Sequence, residues 1–362
     1  MPLLQQINTF LRSRSFEFLV AAFAVLALIP IFINDSFFLF VFTLIFIFSI
    51  YAASWNFLAN SGQGSLGHAA FLGIGGFSAA IIGNRISNAI IGDFGVLQTG
   101  TSSLLIQISV LLIGGVISAG IGLLIGLACV RLKAWYLAMV TFGFSVIAFT
   151  LSSQFDSFTN GINGFRTPTF VSGGYPFYIL VISFNAVSIT VMYYIMKSRM
   201  GLAFRAIHGN EAEARMIGIN TAKYKLIAFV ISTFFAGIAG GLYAYFIQFI
   251  DNSVFSPANS FLPLIMTVIG GLGTVSGPII GAIFLTSVGQ ILTTQSVTQS
   301  LSSTLGPLFP KVGYVGPPLT YLIIGVIMLV IVIFYPKGLT SLFRKFYDYL
   351  LSEEKPKGVK TK

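Results

Sequence analysis

The densest group of residues able to do chemistry lies between Lys197 and Lys225, in the run KSRMGLAFRAIHGNEAEARMIGINTAKYK. Asn210 can cap a helix, and Glu213 three residues later completes a capping-box pattern. Glu211 and Arg215 stand four apart, in the acid-first order that favours pairing on one helix face. Gly218 follows as a natural C-terminal stop. The spacing predicts a two-turn helix over Glu211 to Ile217, with Ala212 and Met216 as a small apolar face. A helix that short is marginal in water. It is therefore expected to dock, on its own bundle or on another protein. The plain alternative is a solvated loop whose charges only set topology.

Three further segments place polar or small residues beside apolar ones. Asn60 to Ile82, NSGQGSLGHAAFLGIGGFSAAII, sets Gln63, Ser65 and His68 against a glycine-rich apolar helix. Polar groups at membrane depth must be satisfied, either by lining a path or by joining helices. Thr159 to Pro168, TNGINGFRTP, holds Asn160, Asn163 and Gly164, residue types that suit tight turns with positive φ. On its residues alone it reads as an exposed loop. Ile269 to Phe284, IGGLGTVSGPIIGAIF, repeats glycine every four residues at Gly273, Gly277 and Gly281. That spacing predicts a smooth stripe on one helix face for close packing, as do Gly122/Gly126 and Gly237/Gly241.

Absences exclude several classes. The chain contains no G-x-x-x-x-G-K-[ST] loop to cradle ATP, no H-E-x-x-H, no G-x-S-x-G and no Cys/His cluster. No enzyme activity, cofactor or metal is expected. A protease pairing a serine with His68 has no signature to support it. All ten acidic residues fall outside the apolar runs or at their ends. A proton- or sodium-coupled carrier keeps ionisable groups at membrane depth, so that alternative is disfavoured.

The elements that must position these residues are membrane helices. The sequence is 56% hydrophobic and 8% charged, with mean hydropathy +0.91. Several runs reach the roughly 20 apolar residues that cross a bilayer. Ten spans are expected, at approximately 17–33, 37–59, 67–83, 102–130, 134–151, 177–196, 226–249, 259–273, 277–293 and 319–335. The run 259–293 is short for two full crossings at about 1.5 Å per residue, so a re-entrant or broken helix pair is the alternative there. The net charge of +10 would suggest nucleic acid in a soluble protein. Here it reads as orientation, with no nucleic-acid partner. With the N-terminus inside, only Arg85, Arg166 and Lys311 fall outside, and the other 17 of 20 Lys and Arg fall inside. Both termini and the 197–225 loop are thus expected in the cytoplasm. Lone Cys129 permits no intrachain disulfide.

GLAFRAIHGNEAEARMIGINTAKYKLIAFVISTFFAGIAGGLYA resembles the cytoplasmic EAA-type loop and following helix of permease subunits from ATP-binding-cassette importers. More narrowly, it is similar to the branched-chain amino acid permease family and to its M-type subunit. The segment with SLGHAAF, the TNGINGF run and GGLGTVSGP resemble further signatures of that family, in family order, across most of Asn56 to Phe284. The resemblance implies an all-α, polytopic membrane protein that forms a translocation path for branched-chain or other apolar amino acids. Relatives carry urea, short amides or other neutral amino acids.

It implies that Glu211, Ala212, Glu213, Arg215 and Gly218 couple to an ATPase. It implies that Gln63, Ser65, His68, Asn160, Asn163 and Gly164 belong to the path or its mouth. It implies three kinds of partner: a related H-type permease, two ATPase subunits that hydrolyse the ATP, and an extracytoplasmic substrate-binding protein. Membrane lipid is the further partner expected from the apolar spans and the basic tail. The expected organisation is a cytoplasmic segment 1–16, a transmembrane permease domain 17–335 and a basic cytoplasmic tail 336–362, in the plasma or inner membrane.

Overall fold

The computed structural model describes residues 35–91, 101–132, 134–171 and 174–294, with scattered positions between 297 and 340. The expected segment 1–16, the span 17–33 and nearly all of 294–362 lie outside the described residues. Eight main helices correspond to the eight expected spans between 37 and 293: α1 (Ser36–Ala59), α2 (His68–Ile91), α3 (Thr101–Cys129), α4 (Ala134–Gln154), α6 (Tyr175–Lys197), α9 (Thr221–Ile247), α10 (Pro257–Gly270) and α11 (Ser276–Thr293). Seven of the eight are long and apolar enough to cross a membrane, and α10 is a shorter apolar helix. The protein is an all-α, multi-pass membrane protein. Helices are what a bilayer permits, because each satisfies its own backbone groups where no water is present.

Short elements among the described residues include α5 (Asp156–Thr159), α7 (Arg199–Gly209), α8 (Glu211–Met216), and the two-residue strands β1 (Phe165–Arg166) and β2 (Phe249–Ile250). The strands pair antiparallel, Phe165 opposite Ile250. Helix α9 forms the centre and packs on α1, α2 and α3. The approach to α2 is close enough to demand glycine: a Cβ on Gly240 would lie 1.8 Å from the Leu72 carbonyl oxygen.

The helix ends divide into two groups. At one end, Gln63 donates to the Lys225 carbonyl at 2.9 Å, and Asn56 donates to the Thr274 carbonyl at 2.8 Å. The Leu339 amide reaches the Ile269 carbonyl there at 2.8 Å. At the other end, Asn84 donates to the Arg166 carbonyl at 2.9 Å, and β1 meets β2. The loop 197–225 therefore shares an end with the α1–α2 turn, and the 155–171 segment lies at the opposite one.

The 259–293 region is a tight hairpin of α10 against α11. The expected glycine stripe needs correction at Gly273. That residue lies in the interhelical turn with φ +77, and its amide donates to the Asn56 side-chain oxygen at 3.1 Å. A turn between helices needs a left-handed residue, and glycine takes that conformation without a steric penalty. Gly277 and Gly281 do lie on α11 and face α10. A Cβ on Gly281 would lie 1.7 Å from the Met266 carbonyl oxygen, and one on Gly277 would lie 2.1 Å from that of Gly271.

Candidate functional site

Helix α8 begins where the capping pattern places it. The Asn210 side-chain oxygen accepts from the amides of Ala212 at 3.0 Å and Glu213 at 3.4 Å. Its side-chain nitrogen donates to the Glu213 carboxylate at 2.7 Å. The helix ends at Met216, one residue before the expected Ile217. Gly218 closes it with φ +85: its amide donates to the Arg215 carbonyl, and the Ile219 amide donates to the Ala214 carbonyl. This double closure satisfies carbonyls that a free helix end would leave unpaired.

One face of α8 is held and the other is open. Ala214 is buried on the side facing α7 and α9, while Ala212 and Glu213 are exposed. Met216 is 89% exposed and Ile217 is 75% exposed. Two large apolar side chains are thus offered at an end of the molecule where the segment is otherwise polar.

Glu211 is the electrostatic centre of the segment. Its Oε1 accepts from Arg215 at 2.7 Å and from the Thr221 hydroxyl at 3.1 Å, and its Oε2 accepts from the Lys225 ammonium. Burial pushes the carboxyl up. Hydrogen bonds from Lys225, Arg215 and Thr221, with the Lys225 charge, outweigh it and leave the carboxyl below its ordinary range. The Glu211–Arg215 pairing follows from their spacing. The sequence does not point to Lys225 and Thr221 as partners of Glu211, because they belong to the next helix and nothing local connects them to it. Helix α7 was also missed, although Ser198 caps it and Ala203, Phe204 and Ile207 form its buried face. That apolar spacing was a usable signal.

Gln63 joins this same site through the Lys225 carbonyl, and His208 of α7 contacts the Ala59 carbonyl at 3.1 Å. Ser65 and His68 are buried one step deeper. The Trp55 indole donates to the Ser65 carbonyl at 2.7 Å, and His68 Nε2 meets the Ser54 hydroxyl at 2.9 Å. The His68 ring stacks on Tyr51, centroids 5.4 Å apart. These contacts join α1 to α2.

Asn160, Asn163 and Gly164 lie at the opposite end and are not brought together with Gln63, Ser65 and His68. Asn160 takes a left-handed conformation with φ 55, and its side chain donates to the Gly164 carbonyl at 2.8 Å. Asn163 is exposed. Gly164 is buried against β2, where a Cβ would lie 2.4 Å from the Ile250 carbonyl oxygen. Among the described residues no group of three His, Cys, Asp or Glu stands ready to hold a metal ion.

A family model described as branched-chain amino acid transport system / permease component matches residues 37–332. The chain belongs to that family. This family member is 29% identical over 203 residues to the high-affinity branched-chain amino acid transport system permease protein LivM of Salmonella typhimurium, which covers 48% of each chain. It is 25% identical over 249 residues to a probable LivM of Methanocaldococcus jannaschii, covering 66% of this chain and 70% of that one. A probable LivH of the same organism is 29% identical over 185 residues, covering 49% of this chain and 53% of the relative. The match thus spans about half the length of the Salmonella relative. No solved structure matches this member of the permease family.

Proposed function

We propose that this chain is the membrane-spanning permease subunit of an ATP-binding-cassette importer for branched-chain or other apolar amino acids, and that α8 is its coupling helix. The observation that carries the reading is the capped α8, which is held on one face and presents Met216 and Ile217 on the other. A short helix seated in a partner's groove draws its binding energy mainly from such apolar anchors, while rim charges contribute little.

Family membership supports the transport role. Matches to relatives named both LivM and LivH support pairing with a second, H-type permease. The remaining partners are two ATPase subunits, which bind and hydrolyse the ATP, and an extracytoplasmic substrate-binding protein. The mechanism is alternating access: closure of the ATPases displaces α8, and the spans rock around a central path. Lys225 is the one buried Lys, Arg, Asp or Glu among the described residues, and it is paired with Glu211. That pattern supports ATP-driven over ion-coupled transport.

The lysine and arginine distribution supports cytoplasmic termini in a plasma or inner membrane, with α8 on the same side. Reporter fusions at Ser157 and Gly209 should mark opposite sides of the membrane, and finding both on one side removes the topology. The function is tested by co-purification with the ATPases and by ATP hydrolysis in proteoliposomes stimulated by loaded binding protein. Ala212→Arg should weaken both. Full activity in that variant, in a folded protein, would sink the coupling assignment.

A further inference from the structure

Lys225 sits in the second turn of span α9 and is 6% exposed. A cation there faces the positive end of the helix dipole and is out of water. Such a charge needs a carboxylate, and its partner is Glu211 of α8, fourteen residues earlier. The other branch of the pairing is weaker. Arg215 is 66% exposed at its side chain, so solvent screens its bond to Glu211. The backbone carbonyl of Lys225 in turn accepts from Gln63 in the α1–α2 turn at 2.9 Å.

Besides the Glu211 carboxylate, α8 is held by its contacts with α7 and the start of α9. It is six residues long, with Ala214 as its one buried side chain. Glycines flank it on both sides, Gly209 before and Gly218 after. A segment this short would absorb a push from a partner by pivoting unless a side chain ties it to a span.

Resting on the importer reading above, we infer that Lys225 is a positioning residue for energy coupling. Its ion pair with Glu211 is a strut that makes α8, the base of α9 and the α1–α2 turn move as one body. A displacement of α8 is thereby delivered to α9 and to the turn that joins α1 and α2 rather than lost in the loop.

The experiment uses the complete complex, with ATPases and binding protein, in proteoliposomes and with radiolabelled leucine as the probe. The double variant Glu211→Gln/Lys225→Met buries no charge, so it avoids the folding penalty of either single change. It should still co-purify with the ATPases, and the leucine moved per ATP hydrolysed should fall by roughly tenfold or more, as for a coupled contact pair. Lys225→Arg, which keeps the cation, should retain most of the ratio. An unchanged ratio in the double variant overturns the strut. So does loss of the assembled complex, because a structural role alone would then account for the pair. If the unsubstituted chain neither co-purifies with ATPases nor moves leucine, the importer reading falls first and takes the strut with it.

Discussion

The Tyr51 hydroxyl donates to the Asn259 carbonyl at 2.9 Å, the carbonyl that Pro263 leaves without its helical donor. Proline carries no N–H, so residue 259 loses the bond that an ordinary residue at position 263 would make. Tyr51 reaches it from α1 and is fully buried. One residue thus repairs the backbone of another helix while its ring stacks on His68.

Tyr51→Phe should therefore destabilise the protein by about 0.5–1.5 kcal/mol, the net worth of a hydrogen bond to a half-buried acceptor. In a Pro263→Ala background the alanine amide can supply the missing bond, and the same tyrosine change should cost less. Thermal unfolding in detergent of the two singles and the double gives the comparison. Equal costs in both backgrounds would show that Tyr51 does not serve this carbonyl.

Gly218 offers a second test, because its side-chain space is empty: no atom lies within 4 Å of a Cβ built there. Any penalty comes from the backbone alone. Gly218→Val should cost about 1–2 kcal/mol for a left-handed non-glycine residue and should redirect the end of α8. Gly218→Asn should be milder, since asparagine tolerates that region. Co-purification with the ATPases should fall in the order glycine, asparagine, valine. Equal recovery of all three would separate the cap from docking.

The opposite end distinguishes two neighbouring residues. Gly164→Val must disturb the β1–β2 pairing, because its Cβ would press on the Ile250 carbonyl oxygen. It should lower the unfolding temperature. Asn163→Trp lies on an exposed position and should leave stability unchanged while reducing uptake. Full uptake with Asn163→Trp would make the segment an ordinary loop.

A pH response follows from Glu211. Its carboxyl is held below the ordinary 4.5, so the stability it contributes is fully present above about that pH and is lost as pH falls through the lowered value. A fluorophore on Met216→Cys should report no change between about pH 5 and 8, then release of α8 below that range. Glu211→Gln should remove the transition. A transition that persists in this variant belongs to another group.

The sequence alone determined the eight main apolar helices among the described residues, because a long apolar run in lipid has no way to satisfy its backbone within one segment other than a helix. It also determined α8, because Asn210, Glu213 and Gly218 act within a few residues of one another. The tertiary structure decided everything that depends on distant partners. Gly273 has the spacing of a stripe but serves the turn, because only the packing of α10 on α11 says where the helices end. Lys225 reads as an ordinary flanking charge until folding brings it against Glu211. Gln63, 162 residues from Lys225, and Tyr51, 208 residues from Asn259, pair with backbone carbonyls. Every residue carries a carbonyl, so no side-chain pattern could have named those partners.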